Sequence, residues 1–161
     1  MNEWFWLVAA IVGCFGLGAL MGAPFLPIRN PDVEAALDLA ELKAGQTLID
    51  LGSGDGRILL AAARRGANAI GYEINPLLYL WSLVLTWPYR RHINIHLKDY
   101  WHTKLPPADV IYLFLLDRYT ARLDTKLKAE LIHPTNVVSY VFEMPRKPRA
   151  QTYNTWLYRY P

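Results

Sequence analysis

Hydrophobic and polar positions divide the chain into a continuous apolar stretch and a longer alternating one. No charged residue occurs from Trp4 to Met21, close to the ~20 apolar residues that a membrane-spanning helix needs. The pattern predicts one transmembrane helix. A cleaved leader is the competing reading, but Met1-Asn2-Glu3 has no positive charge and Met21-Gly22-Ala23-Pro24 is a poor small-residue cleavage site. Arg29, the first positive charge, follows the far end; the positive-inside tendency then puts the remainder on the cytoplasmic side of a single-pass membrane protein. Residues 1–22 are read as the anchor, 23–35 as linker and start of the first helix, and 36–161 as the folded domain.

Pro24-Phe25-Leu26-Pro27 reads as a stiff, extended linker, because each proline fixes its own φ and restricts the residue before it. Asn30 then caps a helix with Pro31 in its first turn and Asp32 and Glu34 complementing the dipole, running to about Leu42. Beyond it the pattern alternates. Strands are predicted at 47–50, 69–73, 93–99, 109–116, 136–143 and 155–160, with helices at 57–65, from Asn75-Pro76 onward, and at 119–132. Strand and helix in alternation imply an α/β domain with a mostly parallel sheet covered on both faces.

The helix after Asn75 is unusual, since 77–87 carries no charge on any side. A helix apolar all round is buried or meets a membrane or partner. Two readings stand: core burial, and contact with the membrane interface through Trp81 and Trp87 beside Arg90 and Arg91.

Composition adds to this picture. Hydrophobic residues make up 53% and charged residues 19%, so some apolar surface faces something other than water. Cys14 has no cysteine partner and none of the four histidines pairs with it at a zinc-like spacing, so neither a disulfide framework nor a metal is expected. From Met144 to Pro161 the chain has Arg146, Lys147, Arg149 and Arg159 and no acid. That stretch suits an anionic surface or a solvated edge.

The candidate chemistry sits in 48–57, where an apolar strand runs into Asp50-Leu51-Gly52-Ser53-Gly54-Asp55-Gly56-Arg57. Alternating glycines let a backbone approach a ligand that side chains would block. The G-x-G-x-x-G dinucleotide turn does not fit, because Arg57 occupies its last position, and no Gly-Lys-Ser/Thr follows for a P-loop. Glu73 ends the second strand 23 residues after Asp50, where a carboxylate can accept from both hydroxyls of an unphosphorylated ribose. Asp99 follows the third strand, with Tyr100 as an aromatic cover for an adenine. Open α/β sheets bind ligands at such carboxyl ends.

Asp50 to Arg57, Gly71-Tyr72-Glu73-Ile74-Asn75-Pro76 and Lys98-Asp99 resemble successive motifs of the Rossmann-like class I S-adenosylmethionine-dependent methyltransferases. More narrowly, Ala23 to Pro27, Asp109 to Leu116 and Lys126 to Leu131 resemble a small family that includes an archaeal protein-lysine methyltransferase and membrane-anchored mitochondrial ones. The resemblance covers about 22–143. It implies S-adenosylmethionine as cofactor, with Gly52, Gly54 and Gly56 on the methionine part, Glu73 on the ribose and Asp99 on the adenine; Asp50, Ser53 and Tyr100 complete the candidate cofactor-binding residues. It implies a protein lysine as acceptor and no metal. Between Glu143 and Thr152 there is no room for the helix of a full seven-stranded sheet, so a shortened sheet is expected.

Methyl transfer from a sulfonium is an in-line displacement, and an acceptor lysine with an ordinary pKa near ~10.4 must first lose its proton. Asp117 and Glu143 are the candidate acids, and Tyr112, Phe25 and Pro27 the candidate walls around the amine. Nucleic acid is disfavoured as acceptor, because the Asn/Asp-Pro-Pro-Tyr/Phe signature of amino-directed base methylation is absent. A membrane lipid or quinone acceptor and a non-catalytic cofactor-binding module remain alternatives.

Overall fold

The computed structural model describes residues 5–6 and 28–161. The predicted anchor, apart from Phe5 and Trp6, and the linker with Phe25 and Pro27 lie outside the described residues. No helix among the described residues is long and apolar enough to cross a membrane.

Five parallel strands, β1 (Thr47–Leu51), β2 (Asn68–Glu73), β3 (Ile93–Leu97), β4 (Val110–Leu113) and β5 (Thr135–Tyr140), are followed by the hairpin of β6 (Ala150–Thr152) and β7 (Thr155–Tyr160). Their order is β3-β2-β1-β4-β5-β7-β6, with β7 antiparallel to both neighbours. The expectation of a shortened sheet is therefore corrected. Seven strands form without a helix after β5, because the short segment before β7 pairs as a hairpin arm and needs no crossover.

The helices are α1 (Asn30–Leu39), α2 (Arg57–Arg64), α3 (Pro76–Thr86) and α4 (Asp117–Glu130). On one face of the sheet, Leu48, Val110 and Val138 pack with α1 and α2 residues such as Leu37 and Leu59. On the other, Ile49, Ile111 and Val137 pack with Leu123 and Leu127 of α4 and with Tyr158 and Tyr160. Strand periodicity dictates this split, since alternate residues face opposite sides. The residue preceding α1 is Arg29 rather than Asn30, and its guanidinium pairs with Asp32 at 3.0 Å. The last two parallel strands end earlier than expected, at Leu113 and Tyr140.

Core burial of the apolar helix is also corrected. Asn75 caps α3, its Oδ1 accepting from the amides of Leu77 and Leu78, but the helix buries only Leu78, Ser82 and Thr86. Gly56 requires that small-residue face: a Cβ there would stand 3.0 Å from Thr86 Cγ2, and its φ is +82°. The two hydroxyls bond back within the helix, Ser82 to the Tyr79 carbonyl and Thr86 to the Ser82 carbonyl.

The basic carboxyl-terminal stretch is partly absorbed by the fold. Buried Asp124 accepts from Tyr160 Oη at 2.6 Å and Lys128 Nζ at 2.5 Å, while Arg146 lies over the Tyr160 ring at 3.9 Å. Burial alone would raise the Asp124 carboxyl, but these donors outweigh it and hold it below the ordinary carboxylate value. Its stabilisation is present at neutral pH and is lost as the pH falls through about 4 and below. Asp124→Asn is expected to cost roughly 1–3 kcal/mol at pH 7 and to flatten the acid limb of stability, as read by thermal unfolding from neutral pH down to pH 3.

Candidate functional site

The carboxyl ends of β1, β2 and β4 meet around one glycine-rich turn. The amides of Gly52 and Ser53 both donate to the Tyr72 carbonyl at 2.9 Å, which bends the chain leaving β1 across β2. Gly54 donates to Glu73 Oε2 at 2.7 Å, and Glu73 Oε1 accepts from the amides of Ile74 and Asn75 at 2.8 and 2.7 Å. One buried carboxylate thus ties the glycine turn to the start of α3. Gly52 adopts φ +99°, and a Cβ there would enter open space. The turn therefore presents bare backbone to a ligand.

Asp50 is buried, and its register partner on each side is Gly71 on β2 and Tyr112 on β4. Burial, with Glu73 and Asp55 nearby, pushes the Asp50 carboxyl well above the usual carboxylate range. Burial and the adjacent Asp50 likewise push the Tyr112 hydroxyl up. Ser53 Oγ and Tyr112 Oη are buried side-chain atoms with no hydrogen-bond partner among the described residues. Orphaned polar atoms around an open glycine turn fit a polar guest.

Asp50, Gly52, Ser53, Gly54, Gly56 and Glu73 are thus brought together by the fold. Asp99 and Tyr100 follow β3 closely, since the Lys98 amide donates to the Glu73 carbonyl at 3.0 Å. The Asp99 carboxylate accepts from the Trp101 amide and meets His102 Nδ1 at 2.8 Å, and Tyr100 stacks obliquely on Trp101. Of the acceptor-side residues, Tyr112 is buried beside Asp50. Asp117 is exposed in the first turn of α4, and Glu143 is exposed in the turn after β5.

Several residues at the site carried no sequence signal of that role. Phe114, directly after β4, has its ring centroid 5.9 Å from Tyr140 and 6.0 Å from Phe142. Tyr140 Oη lies 3.4 Å from Asp32 Oδ2, so α1 contributes an acid next to this aromatic group. Arg57 grips the Asp55 carboxylate with Nε and Nη2, and its Nη1 donates to the Ile28 carbonyl. The Asp55-Gly56-Arg57 spacing was the available signal for that pair. Among the described residues, no cluster of three metal-ligating side chains is present.

Comparison with known proteins decides the family. Residues 50–151 match the ANTKMT methyltransferase domain. The chain belongs to that family. The family's domain is a class I methyltransferase fold that uses S-adenosylmethionine, and the glycine turn, Glu73 and the orphaned hydroxyls fit that cofactor. The adenine nucleotide translocase lysine N-methyltransferase of Mus musculus is 36% identical over 76% of this chain and 54% of its own length. A protein-lysine N-methyltransferase of Saccharolobus islandicus is 30% identical over 75% of this chain and 78% of its own. A Salinibacter ruber RNA methyltransferase, solved with S-adenosyl-L-homocysteine, is 32% identical with a TM-score of 0.77 over 84% of this chain and 92% of that one. The chain spans about half the length of the first curated relatives it matches, lysine N-methyltransferases of Homo sapiens and Mus musculus whose names refer to ATP synthase.

Proposed function

We propose that this chain is a membrane-anchored methyltransferase that transfers the methyl group of S-adenosylmethionine to lysine side chains of proteins. The aromatic group of Phe114, Tyr140 and Phe142 beside Asp32 carries this reading, because aromatic faces hold a cationic amine and desolvate it before attack. The lysine-directed names of the curated relatives support it. When bound, the cofactor supplies the electrophilic methyl group. Gly52, Gly54 and Gly56 with Asp50 and Ser53 would hold its methionine part, Glu73 its ribose, and Asp99 and Tyr100 its adenine.

The chain's own work is to align the amine and take its proton. Tyr112, buried beside Asp50, would form one wall around the amine; Phe25 and Pro27, the other two candidate walls, lie outside the described residues. For the proton acceptor we rank Asp32, next to the aromatic group, above Asp117 and Glu143, whose side chains face solvent. The charge-free run from Trp4 to Met21 would anchor the enzyme with its domain on the cytoplasmic side, by the position of Arg29.

RNA is the second reading, favoured by the name of the Salinibacter structure. The full chain in liposomes, given methyl-labelled cofactor with membrane protein, lipid and RNA fractions, separates the two. Residue-level mass spectrometry is expected to place label on lysine; label in RNA or lipid alone sinks the lysine reading while leaving fold and cofactor in place. Phe114→Ala is expected to raise the acceptor KM by roughly tenfold or more, equivalent to ~1.4 kcal/mol, with cofactor affinity unchanged. Asp32→Asn should lower kcat by about 10²-fold or more if it takes the proton; an effect of that size at Asp117 or Glu143 would move the role there.

A further inference from the structure

Helix α3 turns its small polar residues inward and its large apolar ones outward. Leu80 is 57% exposed, Trp81 55%, Val84 67% and Trp87 just beyond the helix 62%. With Leu77 they stand at i, i+3, i+4, i+7 and i+10, so they form one continuous stripe rather than scattered side chains. A contiguous apolar surface of this kind marks an interaction face.

We propose that this face lies flat in the surface of an anionic lipid bilayer. Charge is the first argument. Between Glu73 and Asp99 there is no acidic residue, whereas Arg90, Arg91 and Lys98 are all present. Arg90 sets its guanidinium 4.6 Å from the centre of the Trp87 ring. Tryptophan at headgroup depth beside arginine facing phosphate is the arrangement of an interfacial segment.

The path of the chain is the second argument. Arg57 holds the Ile28 carbonyl, and the preceding Gly56 packs on Ser82 and Thr86. The chain therefore enters the fold at Arg57, one residue past the glycine that packs on this helix. Only residues 22–27 separate that entry from the charge-free run ending at Met21, a reach of at most ~25 Å at up to ~3.6 Å per residue. The length of the helix is the third argument. Its 11 residues span about 16 Å, too little to cross a bilayer and enough to lie along one, with the apolar side sunk roughly 5–10 Å. This docking does not depend on which acceptor is methylated.

The test uses the full chain with Cys14→Ser, and Val84→Cys carrying a nitrobenzoxadiazole label, in phosphatidylcholine–phosphatidylglycerol vesicles whose acyl chains bear nitroxides. A second protein carries the label at Ile132→Cys, an exposed apolar position beyond α4. The label at 84 is expected to be quenched severalfold more by the nitroxides than the one at 132, and to be shielded from iodide. Arg90→Glu with Arg91→Glu should reduce that quenching, with cofactor affinity retained. Equal iodide access at 84 and 132 overturns the proposal. So does shielding at 84 without nitroxide quenching, which means that residues 4–21 or a second copy covers the face. Methyl transfer measured on the same samples reports separately on the enzymatic reading.

Discussion

Glu73→Ala is expected to abolish measurable cofactor binding and to lower the melting temperature by roughly 6 °C or more. The carboxylate is buried and accepts from three backbone amides, those of Gly54, Ile74 and Asn75. Alanine leaves all three donors without it, at about 1–3 kcal/mol for each buried donor, and roughly 2–4 °C accompanies each kcal/mol in a domain of this size. The same change removes the proposed acceptor for the ribose hydroxyls and frees the glycine turn from the start of α3. Glu73→Gln keeps one carbonyl oxygen and should fall between the two. Calorimetry and equilibrium dialysis with labelled cofactor check both parts. Normal cofactor affinity in the alanine variant would remove Glu73 from the ribose site, and an unchanged melting temperature would remove it as a brace.

Gly71→Val should be nearly as damaging for a steric reason. A Cβ at position 71 would stand 2.6 Å from Leu59 Cδ1, 2.8 Å from Ser53 Oγ and 2.9 Å from Ser53 Cβ. Overpacking of this kind costs about 1–3 kcal/mol, and the group displaced is the serine in the middle of the cofactor turn. Cofactor affinity is expected to fall at least tenfold, ~1.4 kcal/mol, together with stability. Combining Gly71→Ala with Ser53→Gly should recover part of the loss if Ser53 is the neighbour that gives way. Gly45→Ala is the comparison, because nothing lies within 4 Å and only its φ of +80° resists the change; about 1 kcal/mol is expected there. An affinity loss at Gly45 equal to that at Gly71 would refute the steric account.

The glycine turn and its partner acid, the proposed cofactor half of the site, were legible in the sequence because they depend on local features. A strand running into Gly52, Gly54 and Gly56, and an acid closing the next strand, follow one another along the chain. The proposed acceptor half was not, because Asp32, Phe114, Tyr140 and Phe142 meet only through strand register and the packing of α1. The β6 arm of the hairpin escaped prediction for a related reason, whereas β7 was expected. Ala150–Thr152 has no buried residue and no apolar alternation to mark it as a strand; pairing with β7 alone makes it one. Helix α3 misled in the opposite sense. Its uniform apolarity suits a buried helix, while the contact that fixes its orientation is made by Ser82 and Thr86 against a glycine.

Arg57 belongs at once to the cofactor turn, through Asp55, and to the incoming chain, through the Ile28 carbonyl. Under the proposed cofactor site, linkage makes such a shared part reciprocal: an outside influence that changes cofactor affinity through Arg57 is itself changed by the cofactor by the same factor. A pull on the chain entering at Ile28 would then reach the turn proposed to hold the methyl donor, and cofactor bound there would in turn stiffen that entry.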